Sequence, residues 1–382
     1  MKVTVTKSVL EVAAKNLCKV INTKNALPNL GDILVDVQDN KTAYLTASDG
    51  EVWLRYWIAL DDQDGCGRFC VDAKNLVSML GEISEQPVNI ETTDGMTMQL
   101  TYEDGEAHCA IEDANEYPAP IEIADDLPGV TLNARLTKRA ISRCVWTTAN
   151  DDLRPIMAGI HLDLSTEKHA TIVASDGHSL MMTEIVASNY ENGGITLPRK
   201  AAALMTTVID SESDDDEDEF DLTFSATQAQ MQMGAATLTF RLIEGNYPKY
   251  RTIIPESNLF EVVVERLALL SALKAVAPFA PGASNMVELT FNADTVDVKG
   301  NDADFSRGAR KTVATDGYTG YAMTIGMKAS KVIGILSKMS SDSVWLKLNS
   351  PDRAITFAPV LKDGDSADET ITALSMPMLV NG

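Results

Sequence analysis

The 382-residue sequence is poor in the residue types that most often bind metals or carry out catalysis. It contains four histidines and five cysteines, and the cysteines are scattered between positions 18 and 144. No spacing among them matches a zinc site, and an odd number of separated thiols is typical of reduced cysteines in the cytoplasm, where we expect this protein. The sequence also lacks any run of 18 apolar residues, so we expect no membrane span.

Positive charge is scarce as well. The sequence has 32 lysines and arginines against 55 aspartates and glutamates, which gives a net charge of −23. This balance argues against a protein that binds nucleic acid over its whole surface, because contacts to phosphates need lysine and arginine. Six consecutive carboxylates at 214–219 lie within an acidic segment, 211–219, that we interpret as a solvated insertion between a helix and a strand.

The clearest feature that is present is an internal repeat. Ala-Ser-Asp-Gly at 47–50 recurs at 174–177, and helical patterns begin near 74, 200 and 328. A similar tetrapeptide at 314–317 lies too close to the last of these patterns, and we interpret it as a chance similarity. The two exact copies begin at 47 and 174, so the repeat is 127 residues long. Because solenoid units span only roughly 20–50 residues, a repeat of this length indicates whole domains. We predict an α+β fold with antiparallel strands and two helices per domain, in three domains spanning 1–126, 127–257 and 258–382.

The positive charge that is present concentrates on predicted helices. Arg135, Lys138, Arg139 and Arg143 recur every three to four residues, which places them on one face of a helix. A solvated surface and a phosphate-binding surface are both consistent with this stripe, and basic residues recur on helices of the other two domains.

Asp176, Gly177 and His178 form the most enzyme-like triplet. A histidine beside an aspartate is able to act as a base or a metal ligand, which leaves a metal-dependent hydrolase as one hypothesis. The four histidines form no cluster in the sequence, however, and Asp-Gly is an ordinary turn sequence. We therefore expect no catalytic residue, no metal and no cofactor.

Several stretches together resemble the bacterial DNA sliding clamp, the beta subunit of DNA polymerase III. They lie at 27–31, 154–159, 173–180, 197–200, 244–251 and 376–378, in the order of that family and over the full length. The resemblance implies three clamp-type domains with antiparallel sheets outside and two helices each inside, which close head-to-tail into a homodimeric ring. Such a ring encircles duplex DNA without reading its sequence and tethers the replicative polymerase, which makes it a processivity factor and not an enzyme.

The resemblance also implies two sets of functional residues. A pocket between the second and third domains receives short peptides from the polymerase, the clamp loader and repair proteins. Its residues here are Met157, Ser175, Gly177, His178, Leu180, Pro248, Ile253, Leu374, Met376, Pro377 and Met378. DNA-facing residues are Lys24, Arg154, Arg199 and Lys200, to which the charge pattern adds Arg135, Lys138, Arg139 and Arg143.

Some positions depart from the family pattern. Ser179, Thr252 and Leu379 stand where basic residues are frequent, so the rim of the pocket is less basic. A clamp-like paralogue that binds peptides without encircling DNA therefore remains an alternative. The resemblance places the dimer interface between the first domain of one copy and the third domain of the other, near Cys109, Ile111 and Val276.

Overall fold

A computed structural model describes residues 1–22, 28–93, 96–121, 123–124, 127–150, 153–187, 193–362 and 368–380. The helices among them are α1 (Lys7–Cys18), α2 (Ala73–Gly81), α3 (Ala134–Cys144), α4 (Arg199–Glu212), α5 (Arg266–Val276) and α6 (Ala329–Lys338). The strands are β1 (Lys2–Thr6), β2 (Asp32–Gln38), β3 (Thr42–Ser48), β4 (Val52–Ala59), β5 (Asp62–Asp64), β6 (Gly67–Asp72), β7 (Pro87–Thr93), β8 (Thr97–Tyr102), β9 (Gly105–Glu112), β10 (Gly129–Asn133), β11 (Ile160–Thr166), β12 (His169–Ser175), β13 (Ser179–Val186), β14 (Gly194–Leu197), β15 (Glu219–Phe224), β16 (Gln228–Met233), β17 (Ala236–Arg241), β18 (Phe260–Glu265), β19 (Met286–Phe291), β20 (Thr295–Asp302), β21 (Arg307–Asp316), β22 (Met323–Lys328), β23 (Ser343–Leu348), β24 (Ile355–Pro359) and β25 (Glu369–Ser375).

The order of these elements repeats three times. Each repeat begins with a strand followed by a helix, and each contains a second helix that is followed by three strands. In the first two repeats the Asp-Gly turn lies between β3 and β4 and between β12 and β13, whereas the matching turn of the third repeat joins β20 to β21. The Asp-Gly pair at 316–317 lies at the end of β21 and not between β20 and β21, which confirms that its similarity is coincidental. The predicted α+β fold with two helices per repeat is confirmed.

The chain divides into two compact units that do not coincide with the repeats. The first unit comprises Met1–Lys138 and Lys200–Leu242, and the second comprises Arg139–Arg199 and Ile243–Gly382. Each unit is built on one continuous antiparallel sheet, of 13 strands in the first unit and 12 in the second. The boundary between the units passes through α3, between Lys138 and Arg139.

In the first unit, the central repeat joins the first repeat through the pairing of β17 with β4. The register places Leu238 opposite Leu54, and both side chains are fully buried. Strands such as β15 alternate buried and exposed residues, as expected where one face of a sheet is covered. Helix α2 begins where the Asp72 carboxylate accepts a hydrogen bond from the backbone amide of Asn75 at 2.7 Å.

In the second unit, the central repeat joins the third repeat through β13 and β25. Seven residue pairs connect these strands, from Ser179 opposite Ser375 to Ile185 opposite Glu369. This continuous pairing fixes the last strand of the chain against the central repeat and therefore sets the position of the residues that follow it.

No helix among the described residues is long and apolar enough to cross a membrane.

Candidate functional site

An apolar cluster in the second unit gathers residues near the end of the β13–β25 pair where Ser179 lies opposite Ser375. Leu180 lies directly opposite Leu374 across these strands, and both side chains are almost completely buried. The cluster consists of Val173, Leu180, Met182, Tyr250, Ala354 and Leu374, with Tyr247 and Ile254 packed against it. Its members come from β12, β13, β25 and the segments around residues 250 and 354, at the end of the sheet. This cluster is called the apolar floor.

The chain leaves this floor through the segment Met376–Met378. The backbone amide of Met376 donates to the carbonyl oxygen of His178 at 2.8 Å, and that of Met378 donates to the carbonyl oxygen of Gly326 on β22 at 2.8 Å. Two backbone hydrogen bonds thus fix the segment while the side chain of Met376 stays 44% exposed. An exposed flexible thioether beside a buried apolar floor suits a surface that binds varied apolar partners.

The turn at Asp176–His178 has a structural explanation. The Asp176 carboxylate accepts hydrogen bonds from the backbone amides of His178 at 2.9 Å and Ser179 at 2.8 Å, and it forms an ion pair with Lys331 of α6. Burial alone would raise the pKa of Asp176, but the hydrogen bond from Lys331 and those from the backbone amides outweigh it and lower the pKa. Asp176 is therefore a charged turn-forming residue and not a general base near neutral pH.

The described residues provide no set of metal ligands for the metal-dependent hydrolase hypothesis. Among the described residues, no group of three or more histidine, cysteine, aspartate or glutamate side chains is arranged to hold a metal ion. His178 itself is exposed and contributes its backbone groups to the turn and to the C-terminal segment.

The predicted pocket residues separate into a buried and an exposed group. Met157, Ser175, Leu180 and Leu374 are buried, whereas Gly177, His178, Pro248, Ile253 and Met376 are exposed and Pro377 and Met378 are half-buried. The Ser175 hydroxyl donates to the carbonyl oxygen of Ser179 at 2.9 Å and accepts from the amide of Gly177, so it stabilises the turn. If these residues form the predicted pocket, the buried group is its floor and the exposed group is its rim.

Sequence reasoning missed most of the floor. The Tyr250 hydroxyl donates to Asp163 at 2.5 Å, and the Tyr247 ring stacks on His161 with centroids 4.5 Å apart, so both tyrosines are fixed beneath the rim. Met182 lies two residues beyond Leu180 on the same face of β13, but six of the eight residues of this strand are buried, so no alternation distinguishes it. Leu180 was predicted from the family resemblance alone, and the positions of the tyrosines depend on contacts with a distant strand.

The predicted basic stripe on α3 is largely neutralised by acidic partners. In the first unit, Nε of Arg135 lies 3.3 Å from a carboxylate oxygen of Asp216, and Lys138 pairs with Asp210. These acids belong to the end of α4 and the acidic segment, whose loop is closed by hydrogen bonds from the amides at 214 and 215 to Asp218. The segment joins a helix to a strand as predicted, but it also contacts α3 and is not merely solvated.

The second half of α3 departs further from an exposed stripe. Arg143 makes two hydrogen bonds to Glu369 of β25, at 2.5 and 2.9 Å, and its side chain is only 7% exposed. Arg139 pairs with the same carboxylate at 2.6 Å while remaining 39% exposed. The spacing of the four basic residues predicts one open face, but Arg143 turns into the protein because Glu369 offers a bidentate partner there.

The remaining predicted DNA-facing residues have mixed environments. The Arg199 guanidinium donates to the Thr148 hydroxyl at 2.9 Å and to the Ala149 carbonyl at 3.1 Å. Lys200 pairs with Asp49 in the first unit, and Arg154 donates to the Asp176 carbonyl at 3.4 Å. Lys24 lies outside the described residues.

Comparison with known proteins agrees with this architecture. Three parts of the DNA polymerase III beta subunit family match the chain in order: the N-terminal domain at residues 1–120, the central domain at 131–249 and the C-terminal domain at 251–379. The beta sliding clamp of Streptococcus pneumoniae R6 is 22% identical over 365 residues, covering 93% of this chain and 95% of the relative. That of Staphylococcus aureus Mu50 is 20% identical over 387 residues, covering 99% of each.

Solved structures show the same fold. A DnaN sliding clamp from Pseudomonas aeruginosa bound to griselimycin superposes with a TM-score of 0.90 at 20% identity, and a sliding clamp from Bacillus subtilis superposes with 0.88 at 19%; each covers all of both chains. Three clamp domains in series define a sliding clamp. The chain belongs to the DNA polymerase III beta subunit family, and is a polymerase processivity factor without catalysis of its own.

Proposed function

We propose that two copies of this chain close head-to-tail into a ring that encircles duplex DNA, and that the ring tethers the replicative polymerase through the apolar surface of the second unit. The observation that carries the proposal is the match of all three clamp domains, in order, over residues 1–379. A topological ring needs no tight DNA contact to remain bound, which suits a chain with a net charge of −23.

The junctions of the proposed ring use two open strand edges. β9 pairs with β8 from Gly105 to Ala110, but it pairs with β6 only through Ile111 and Glu112. β21 likewise pairs with β20 from Arg307 to Ala314 and with β18 only at its end. Open edges readily accept a strand from another chain, and the predicted interface residues Cys109 and Ile111 lie on β9.

The peptide surface consists of the buried floor and the exposed rim around Met376–Met378. Apolar anchors of a partner peptide would pack against Ile253 and Met376, both about half exposed. The small number of polar side chains at the rim favours partners that bind through apolar side chains and backbone hydrogen bonds.

The proposed DNA-facing set keeps every predicted residue except Arg143. Arg135, Lys138 and Arg139 remain in this set, together with Lys24, Arg154, Arg199 and Lys200, while Arg143 is better explained as the buried partner of Glu369. Because most of these cations already have protein partners, we expect weak, water-mediated phosphate contacts. A cytoplasmic location is part of the proposal, since the proposed partner is duplex DNA and the five cysteines are free.

Primer extension on primed circular DNA tests the tethering function. A replicative polymerase with a clamp loader should synthesise longer products per binding event when the chain is present. Met376→Asp should abolish this gain, because the polymerase and the clamp loader are both expected to bind the surface that includes Met376, and Val186→Asp, a similarly exposed apolar residue on β13, should not. Normal peptide binding without loading or longer products would instead favour the paralogue that does not encircle DNA, and would refute the proposed ring.

A further inference from the structure

The segment that contains the open edge of β9 is strongly acidic. The segment 103–116 carries six carboxylates and no lysine or arginine. Within β9 the exposed positions are Glu106, His108, Ala110 and Glu112, which alternate with half-buried or buried Ala107, Cys109 and Ile111. Glu106 and Glu112 therefore share one face of the strand. Glu106 lies in the part of β9 that pairs only with β8 among the described residues, and Glu112 lies at the end of this part, where β9 pairs with β6.

The open edge of β21 has the opposite charge. Residues 307–314 contain Arg307, Arg310 and Lys311 and no acid, in a chain where acids far outnumber bases. Two of these cations form ion pairs with buried aspartates. Arg307 lies 3.0 Å from Asp302, whose side chain is 4% exposed, and Arg310 lies 2.5 Å from Asp297, whose side chain is 11% exposed.

In both ion pairs the arginine side chain stays accessible at the surface. The side chains of Arg307 and Arg310 are 46% and 64% exposed, while their acidic partners are buried. Lys311 is also exposed and is held by a 3.2 Å hydrogen bond to Ser271 of α5. The acids thus orient the arginines at the edge and present little negative charge of their own to an approaching strand.

We infer that the two junctions of this clamp are held and selected by charge: the acidic edge of β9 in one copy pairs with the basic edge of β21 in a second copy of this chain. The inference rests on the ring proposed above. Each copy carries one edge of each sign, so like edges repel and only the head-to-tail arrangement brings opposite charges together. Repulsion between like edges excludes the symmetric β9–β9 and β21–β21 dimers, and it disfavours mixed rings with clamps whose first-domain edge is basic.

Two edge-reversed variants test this pairing. Variant A is Glu106→Lys with Glu112→Lys, and variant B is Arg310→Glu with Lys311→Glu. Each has two edges of the same sign, so each alone should dissociate, with a dimer Kd raised roughly tenfold or more by the like-charge contacts at both junctions. An equimolar mixture of A and B should recover a 1:1 dimer, because both of its junctions again join opposite charges.

Sedimentation velocity over a range of NaCl concentrations gives the readout. Raising the salt should weaken the unmodified dimer and the A–B dimer alike. Recovery in the mixture also shows that both variants are folded. The matched control, Glu244→Lys with Glu256→Lys, changes charge equally at exposed positions outside both strands and should leave Kd unchanged.

The possible failures are distinguishable. If the unmodified chain is a dimer that loads on DNA, but A and B remain dimeric alone or do not associate with each other, charge selection is wrong and the ring stands. Association of A with the unmodified chain as tightly as with B would also overturn head-to-tail pairing by charge. If the unmodified chain stays monomeric at every concentration and salt, the proposed ring itself is wrong.

Discussion

Glu369 is the residue whose neutralisation should damage the second unit most. Its side chain, 12% exposed, accepts from Arg143, which is 7% exposed, and from the more accessible Arg139. Removing one partner of a buried ion pair costs about 3–5 kcal/mol, since the other charge is left buried without compensation. Glutamine retains one acceptor oxygen, so we expect Glu369→Gln to lower the free energy of unfolding by about 3 kcal/mol, the lower end of that range.

Arg139→Gln is the matched comparison at the exposed member of the same cluster. It leaves the bidentate pair between Arg143 and Glu369 intact, so the loss should stay below about 1 kcal/mol, as for surface ion pairs. Urea denaturation followed by circular dichroism and by hydrogen exchange of β25 separates the two cases. With a slope of roughly 2–3 kcal/mol per molar urea, the Glu369→Gln midpoint for the second unit should fall by about 1 M.

The same substitution should also weaken the peptide surface. Glu369 begins β25, and this strand leads directly into Met376, so faster exchange of β25 amides should accompany a lower affinity for clamp-binding peptides. Equal and small losses for Glu369→Gln and Arg139→Gln would refute the reasoning, because they would mean that Arg143 is hydrated without its partner.

Three further predictions concern other parts of the chain. Asp210→Asn with Asp216→Asn should release two cations of α3, so binding to a short duplex should strengthen and its salt slope should steepen by up to roughly 0.9 per additional phosphate contact; an unchanged slope in fluorescence anisotropy would contradict this. Burial, reinforced by nearby carboxylates, raises the pKa of Asp32 to about 6, so its contribution to stability is full below about pH 4 and is lost as the pH rises through 6. Asp32→Asn should therefore raise the unfolding free energy by about 1–2 kcal/mol at pH 7, allowing for solvent screening, and by little at pH 4; equal effects at both values in thermal melts would be inconsistent with this explanation. Gly326→Ala should place a Cβ 2.6 Å from the Met378 carbonyl oxygen and displace the C-terminal segment, so peptide affinity measured by calorimetry should fall while the circular dichroism spectrum stays the same; unaltered affinity would show that this segment does not shape the peptide surface.

The sequence predicted the repeat because its signals are local. Helix spacing and strand alternation depend on neighbours a few residues away, and they were sufficient to recognise two helices per repeat and to discount the Asp-Gly pair at 316–317. The division into two units was not predictable in the same way. It depends on the pairing of β17 with β4 and of β13 with β25, which joins strands from different repeats, and no local pattern encodes such a register.

The contrast between local signals and long-range contacts also explains why the basic stripe on α3 was only partly predictable. The spacing of four cations on α3 correctly predicts a helix with a basic face, but not which cations stay available. Arg143 is buried because of an acid 226 residues further along the chain, and a helical periodicity carries no information about that contact. The apolar floor shows the same contrast: Leu180 and Leu374 were predicted from the family resemblance, whereas Tyr250 is positioned by its hydrogen bond to Asp163.

Retention on circular DNA tests the ring most directly. The chain would be loaded by a clamp loader onto nicked circular DNA, separated from free protein, and measured again after the circle is cut once with a restriction enzyme. The ring predicts that the protein remains on the intact circle and is lost on linearisation, since it slides off the free ends. Equal retention on the circular and linear forms would mean ordinary surface binding and would contradict the topological clamp.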